Sequence, residues 1–130
     1  MMPDTPMRTH TTIAVVDDDE SVRSALKSLL RSSGYDVRTF CSALEFLDTN
    51  APTQTQCLIS DIQMPGMTGV ELFERLGAMG LRIPTIFITA YPGKVLKLGS
   101  RIAGMIACLP KPCDAEKLLD CVEVALGRGL

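Results

Sequence analysis

Short apolar runs of β type alternate with helically spaced apolar residues from Ile13 almost to the last residue. Ile13-Ala-Val-Val16 contains no polar residue, the pattern of a strand buried on both faces. Over residues 20–33, Val22, Leu26, Leu29 and Leu30 recur at helical spacing, and Gly34 stands where a left-handed cap closes a helix. Residues 35–40, YDVRTF, alternate as a half-buried or edge strand does. Ser42 and Glu45 then open a second helix over residues 42–47 with a capping box. Residues 57–60, CLIS, predict a third strand, and residues 69–76 a third helix ended by GAMG. The fourth strand is IPTIFITA, residues 83–90, with Pro84 tolerated at its entry. Residues 92–102 follow as a helix in spite of Gly93 and Gly99, each costing up to about 1 kcal/mol against alanine. Residues 105–109, MIACL, form the fifth strand, and Asp114 caps a last helix reaching about Leu126.

Five βα units in succession, without repeats or low-complexity linkers, predict an α/β fold: a parallel sheet with helices on both faces, because each crossover packs back right-handed. Five units are too few for an eight-fold barrel, so the sheet is open. Ligands of open α/β sheets sit at the carboxyl ends of the strands, where the winding reverses. The chemistry is therefore expected just after strands one, three, four and five.

Composition narrows the field. One hundred and thirty residues suit one domain, residues 12–127, between a loose polar tail at 1–11 and a short one at 128–130. Thirteen basic and fifteen acidic residues give a net charge of −2, which argues against a chain built to neutralise nucleic-acid phosphates. The five cysteines (Cys41, Cys57, Cys108, Cys113, Cys121) form no CxxC pair, and the one histidine, His10, lies in the tail, so no thiolate–imidazole metal cage is expected. An odd cysteine count without a secretory leader reads as reduced thiols in a cytoplasm. No apolar run approaches the length of a membrane span.

The strand ends carry an unusual set of groups. Asp17, Asp18, Asp19 and Glu20 follow strand one, Asp61 ends strand three, Thr89 and Ala90 end strand four, and Lys111 stands between two prolines after strand five. With strands one and three adjacent, Asp17, Asp18 and Asp61 converge and repel unless a cation lies among them. A hard divalent ion such as Mg²⁺ suits an all-oxygen site. Carboxylate, metal, ammonium and hydroxyl together make a phosphoryl-transfer site, a nucleophile beside groups that neutralise phosphoryl oxygens.

These motifs resemble the receiver domain of two-component response regulators, in the branch related to the nitrogen-fixation regulators. VVDDDESVR after strand one, Asp61-Ile-Gln-Met64-Pro65-Gly-Met67-Thr-Gly69, Thr89-Ala90 and Lys111-Pro112 occur in the family's order over residues 13–126. The resemblance implies a flavodoxin-like doubly wound (βα)5 sandwich of three layers with strand order 2-1-3-4-5. It implies that Asp61 accepts a phosphoryl group from a sensor histidine kinase or phosphotransfer protein. Asp17, Asp18, Asp61 and the main-chain carbonyl of Gln63 would hold Mg²⁺, with Mn²⁺ as a substitute. Thr89 would bind the phosphoryl oxygen and Lys111 would pair with it across a commonly cis Lys111-Pro112 bond. Such a module catalyses its own phosphorylation and slow dephosphorylation without being a turnover enzyme, works in the cytoplasm, and can dimerise on phosphorylation. It is expected to bind neither nucleic acid nor membrane directly, and no output domain is expected within this sequence, whether the receiver stands alone or is a piece of a longer regulator.

Two positions depart from the family. The aromatic residue usually found three before the lysine is Cys108, and the phenylalanine usual after Lys-Pro is Cys113. Both substitutions are expected to thin the face that residues 92–102 form with strand five and the last helix. With Ala90 and Tyr91 they mark the switch and output face, where the usual Thr–aromatic coupling is expected to be absent or altered. Plainer readings stand beside these: acids at a helix N-terminus for Asp19 and Glu20, and a solvated face for Arg23, Lys27 and Arg31, which otherwise suggest a kinase docking surface. Two alternative functions remain. One is a haloacid-dehalogenase-type phosphatase with Asp17 as nucleophile, Asp19 as acid/base and Ser21 beside it, although no later acidic motif supplies its metal. The other is a phosphorylation-independent pseudo-receiver.

Overall fold

The computed structural model describes residues 11–91 and 105–127. The helix expected over 92–102, His10 and the tails at 1–10 and 128–130 lie outside them. Thr12–Val16 (β1), Asp36–Phe40 (β2), Cys57–Asp61 (β3), Thr85–Thr89 (β4) and Met105–Pro110 (β5) form one parallel sheet in the order β2-β1-β3-β4-β5. The helices are Glu20–Ser32 (α1), Ala43–Leu47 (α2), Gly69–Ala78 (α3) and Ala115–Ala125 (α4). A short 3₁₀ turn at Ala51–Gln54, not foreseen from the pattern, starts with Pro52 in its first positions.

Each β1 residue from Ile13 to Val16 and each of Cys57, Leu58 and Ile59 on β3 is wholly buried. Full burial of a Val, Leu or Ile side chain contributes about 1.5–3 kcal/mol, so β1 and β3, with the equally buried β4, form the firm centre of the frame. Successive residues serve opposite layers. Ile13, Val15, Ile59, Ile86 and Ile88 pack under α1 and α4 through Leu26, Leu30, Leu118 and Val122. Ala14, Val16 and Leu58 pack with Phe46, Leu72 and Leu76 of α2 and α3. The three layers follow from this alternation.

The helix ends are set by short polar side chains. Asp19 caps α1, Ser42 caps α2 and Asp114 caps α4, each accepting main-chain N–H bonds. Gly34 closes α1 at φ 97°, in the left-handed region expected of it. Glu45 reaches back to the N–H of Cys41 at 2.7 Å, one residue earlier than a capping box requires. The full capping box lies instead at Thr68 and Glu71, at the start of α3. β4 begins at Thr85 rather than Ile83, because Pro84 has no N–H and offers only its carbonyl, which accepts from Leu58 at 2.9 Å.

Register decides where the chemistry lies. Val16 stands opposite Ser60, Asp61 opposite Ile88, and Thr89 opposite Pro110. The residues just past β1 and β5 are thus level with the last residues of β3 and β4. A bulge lies on β5, where Thr85 pairs with Met105 but Ile86 pairs with Ala107, leaving Ile106 as the extra residue.

Candidate functional site

Asp17 leaves β1 wholly buried and is fixed from several sides. Its N–H donates to Phe40 O at 3.1 Å, continuing the β2 ladder by one residue. Its Oδ1 accepts the N–H of Asp19 at 2.9 Å, and its main-chain carbonyl accepts from Arg23 Nη1 at 2.7 Å. Its Oδ2 lies 2.9 Å from Lys111 Nζ. That approach is an ion pair, and it is not aligned as a hydrogen bond, so Oδ2 is buried with no directed donor among the described residues.

Asp61 ends β3 only 4% exposed. Its Oδ1 accepts the N–H of Gln63 at 3.2 Å and its Oδ2 accepts from Lys111 Nζ at 3.1 Å. Burial pushes its carboxyl above the ordinary aspartate value and Asp17 adds to this, while the Lys111 ammonium and the Gln63 N–H pull it back. Lys111 is placed by its own N–H, which donates to Thr89 O at 2.8 Å, and by the cis bond to Pro112. Partial burial alone would weaken its ammonium, but the pairs with Asp17 and Asp61 outweigh it and hold the group above its ordinary value.

Asp18 is exposed, and its carboxylate makes no hydrogen bond or ion pair among the described residues. One oxygen each from Asp17, Asp18 and Asp61 lie within 4.8 Å of one another. Three carboxylates at that spacing, one with a buried oxygen lacking a directed donor, fit a hard cation that accepts oxygen ligands. The pocket can hold an Mg²⁺ ion on these three side chains. Gln63 is exposed two residues past Asp61 and donates its N–H to the Asp61 carboxylate. Thr89 is wholly buried, and its Oγ1 accepts the N–H of Tyr91 at 2.9 Å, which leaves the hydroxyl proton free to donate elsewhere. Ala90 and Tyr91 are both exposed beside it.

Asp17, Asp18, Asp61, Thr89 and Lys111 are thus gathered at one end of the sheet, as the strand-end argument requires. Asp19 and Glu20 stay out of the pocket. Asp19 Oδ1 accepts from the N–H and the hydroxyl of Ser21 at 2.8 and 2.7 Å, which holds its carboxyl below the ordinary aspartate value. One oxygen of that carboxylate caps α1, and a lowered carboxyl is a poorer proton donor, which speaks against the acid/base role that the phosphatase alternative requires.

Cys108 and Cys113 pack against different layers of the sheet, and the helix expected to join them in one face, residues 92–102, lies outside the described residues. Cys108 packs with Ile62, Val70 and Phe87 on the α3 side, whereas Cys113 packs under α1 and α4 on the other side. β5 turns Cys108 toward Phe87, its partner in register. The cis Lys111–Pro112 bond precedes Cys113, which lines a cavity of about 380 Å³ with Val22, Leu26 and Lys111. Cys57 is a core residue whose thiol burial pushes up to about 12. All five thiols are free, and Cys41 is exposed.

Two contacts that the sequence pattern did not single out complete the site. Gly69, the first residue of α3, lies so close to β3 that a Cβ there would stand 2.2 Å from Asp61 O. Arg23 reaches Asp17 O from α1, although its spacing groups it with the surface residues Lys27 and Arg31.

Comparison with known proteins gives a consistent result. The model of the response regulator receiver domain matches residues 13–123. Transcriptional regulatory protein FixJ of Azorhizobium caulinodans is 36% identical over 116 residues, covering 89% of this chain and 55% of that protein. Nodulation protein W of Bradyrhizobium diazoefficiens is 36% identical over 124 residues, covering 95% and 55%. The chain therefore spans about half the length of these curated relatives. Among solved structures, response regulator StyR superposes with a TM-score of 0.84 at 45% identity, covering 92% of this chain and 60% of that one. Chemotaxis protein CheY4 of Vibrio cholerae superposes at 0.78 with 27% identity, covering 91% and 100%. No helix among the described residues is long and apolar enough to cross a membrane.

Proposed function

The chain belongs to the response regulator receiver family, and from that premise we propose that Asp61 takes a phosphoryl group from the phosphohistidine of a cytoplasmic sensor kinase or phosphotransfer protein. One observation carries the assignment to Asp61: Lys111 Nζ stands between Asp17 Oδ2 and Asp61 Oδ2, at 2.9 and 3.1 Å, beside the open carboxylate of Asp18.

An Asp61 carboxylate oxygen attacks phosphorus, the P–N bond breaks, and the imidazole leaves with the electron pair and takes up a proton. The aspartyl phosphate later loses its phosphoryl group when water attacks phosphorus and the carboxylate departs. Lys111 offsets charge on the entering phosphoryl oxygens, and the free Thr89 hydroxyl proton donates to one of them. Asp17, Asp18, Asp61 and the Gln63 carbonyl would hold Mg²⁺, which supplies positive charge to the phosphoryl oxygens when bound. The complete acid pocket speaks against a phosphorylation-independent pseudo-receiver.

Incubation with acetyl phosphate and Mg²⁺, followed by phosphate-affinity electrophoresis, tests this. The wild-type band is expected to shift, and Asp61→Asn to abolish the shift. A shift that survives Asp61→Asn and is lost only in Asp17→Asn would overturn the assignment in favour of the phosphatase.

The output step is expected to differ from the family's. Cys108 is partly buried against Phe87 and has no ring to swing as Thr89 moves. Methyl and amide shifts of the free and beryllofluoride-bound protein should therefore change around Thr89 and Tyr91 with little change at Cys108. A Cys108 shift change as large as that of Thr89 would contradict this.

A further inference from the structure

We propose that Arg23 is a positioning residue that orients the metal-binding carboxylate of Asp18 by clamping the Asp17–Asp18 peptide; the inference rests on the receiver reading of this pocket.

Among the described residues, Asp18 is the one pocket acid whose side chain has no partner. Asp17 is held through its N–H, both carboxylate oxygens and its carbonyl, and Asp61 is held by Gln63 and Lys111. The direction of the Asp18 side chain is therefore set by the main chain that precedes it. The plane of the Asp17–Asp18 peptide is defined by the Asp17 carbonyl, which lies one residue past the β1 ladder. No main-chain N–H among the described residues reaches it. Arg23 Nη1 takes that place at 2.7 Å.

Arg23 is itself well anchored. It lies in the first turn of α1, where its N–H donates to Asp19 O at 3.1 Å and Asp19 caps the helix through Ser21. The guanidinium thus ties the rigid start of α1 to the carbonyl before Asp18. A lost carbonyl partner frees this peptide to rotate, and Asp18 Oδ would move away from the other two carboxylates. Groups outside a metal's own ligand set that orient its ligands commonly change affinity about 10–100-fold.

Charge and position predict opposite signs. Arg23 is a cation near an acidic pocket, so acting by charge alone its removal would tighten Mg²⁺ binding. Acting by position, its removal weakens binding. Isothermal titration of the whole chain with MgCl₂ decides between them. Arg23→Ala is expected to raise the Kd about tenfold and Arg23→Lys to recover part of that. Arg31→Ala, which removes an equal charge from the same helix, should leave the Kd within about twofold or lower it, as for a screened surface charge. Thermal unfolding in EDTA checks that Arg23→Ala is folded, and Arg23→Gln serves should it not be. An unchanged or lower Kd in Arg23→Ala, with wild-type protein binding Mg²⁺, would overturn the role of Arg23 alone. Wild-type protein that takes up no Mg²⁺ would overturn the metal reading and this inference with it.

Discussion

The Gly69→Ala variant is expected to lose about 1–3 kcal/mol of stability, as overpacked sites do, and nearly all of its ability to be phosphorylated. A Cβ at this position would lie 2.2 Å from Asp61 O, 3.1 Å from Asp61 C and 3.0 Å from Ser60 Oγ. The nearest obstacles are main-chain atoms, so no rotamer change relieves them. One of two elements must move. The start of α3 is fixed by the Thr68–Glu71 capping box and by the Gly69 N–H, which donates to Ile62 O at 2.9 Å. The end of β3 is fixed by the Ile62 N–H, which donates to Ile88 O at 3.1 Å. If β3 gives way, the peptide carrying Asp61 shifts by a substantial part of an ångström and the Lys111 contact at 3.1 Å shifts with it; if α3 gives way, its Gly69 N–H pulls on Ile62 O, the residue next to Asp61. Positioning errors of that size cost far more in transfer rate than in stability. Chemical denaturation and acetyl phosphate labelling of Gly69→Ala measure the two losses separately. Ser60→Ala in the same background should rescue neither, because the hydroxyl is the lesser obstacle. Rescue by Ser60→Ala, or wild-type labelling of Gly69→Ala, would refute the main-chain clash. Glycine is thus required here for space.

How much of this was legible beforehand depended on whether a feature is local. β1 and β3 could be read because strands buried on both faces leave uninterrupted apolar runs, and the acids that end those runs stand out for the same reason. The capping box at Thr68 and Glu71 was equally local, with the same Thr/Ser-x-x-Glu spacing as at Ser42 and Glu45. It is masked by the turn residues Met64 to Met67, which account for the break between strand and helix without it. The bulge at Ile106 could not be read, because every residue of Met105–Leu109 is apolar and no alternation marks the slip. That Cys108 packs toward α3 and Cys113 toward α1 and α4 could not be read for the same reason, since no polar residue among Met105–Leu109 marks which side meets which layer. Arg23 was hidden differently. Its spacing from Lys27 and Arg31 describes a solvated stripe, and only the folding of the β1–α1 loop brings Asp17 O within its reach.

Lys111→Met is expected to slow acyl phosphate formation about 10²-fold, the scale for losing one preorganised charge partner of the transferred group. It is also expected to reshape the dependence of stability on pH in the absence of metal. Asp61 has a folded pKa raised above 3.8, first by burial and then by Asp17. A raised carboxyl contributes stability that is full below its unfolded pKa and lost as pH rises through the folded one. Lys111 limits that loss, since its hydrogen bond and charge are what lower the Asp61 value. Without the ammonium, the folded pKa of Asp61 moves further up, and stability keeps falling to a higher pH before levelling. Lys111 carries a dependence of the same sign in a higher pH window. Its own raised pKa gives stability that is present below 10.5 and lost as pH rises through the folded value, and this alkaline loss disappears in the variant. Removing one partner from a buried ion pair costs about 3–5 kcal/mol, and with one-fifth of the Lys111 side chain exposed the neutral-pH loss should be nearer 2 kcal/mol. Added Mg²⁺ should therefore raise the unfolding temperature more in Lys111→Met than in wild type, because it replaces a missing positive charge rather than joining one already there. Thermal unfolding from pH 3 to 11, with EDTA and with Mg²⁺, measures all of this. Superimposable metal-free curves for the two proteins would mean that Lys111 does not neutralise the acids it touches, and unchanged labelling would remove it from phosphoryl transfer.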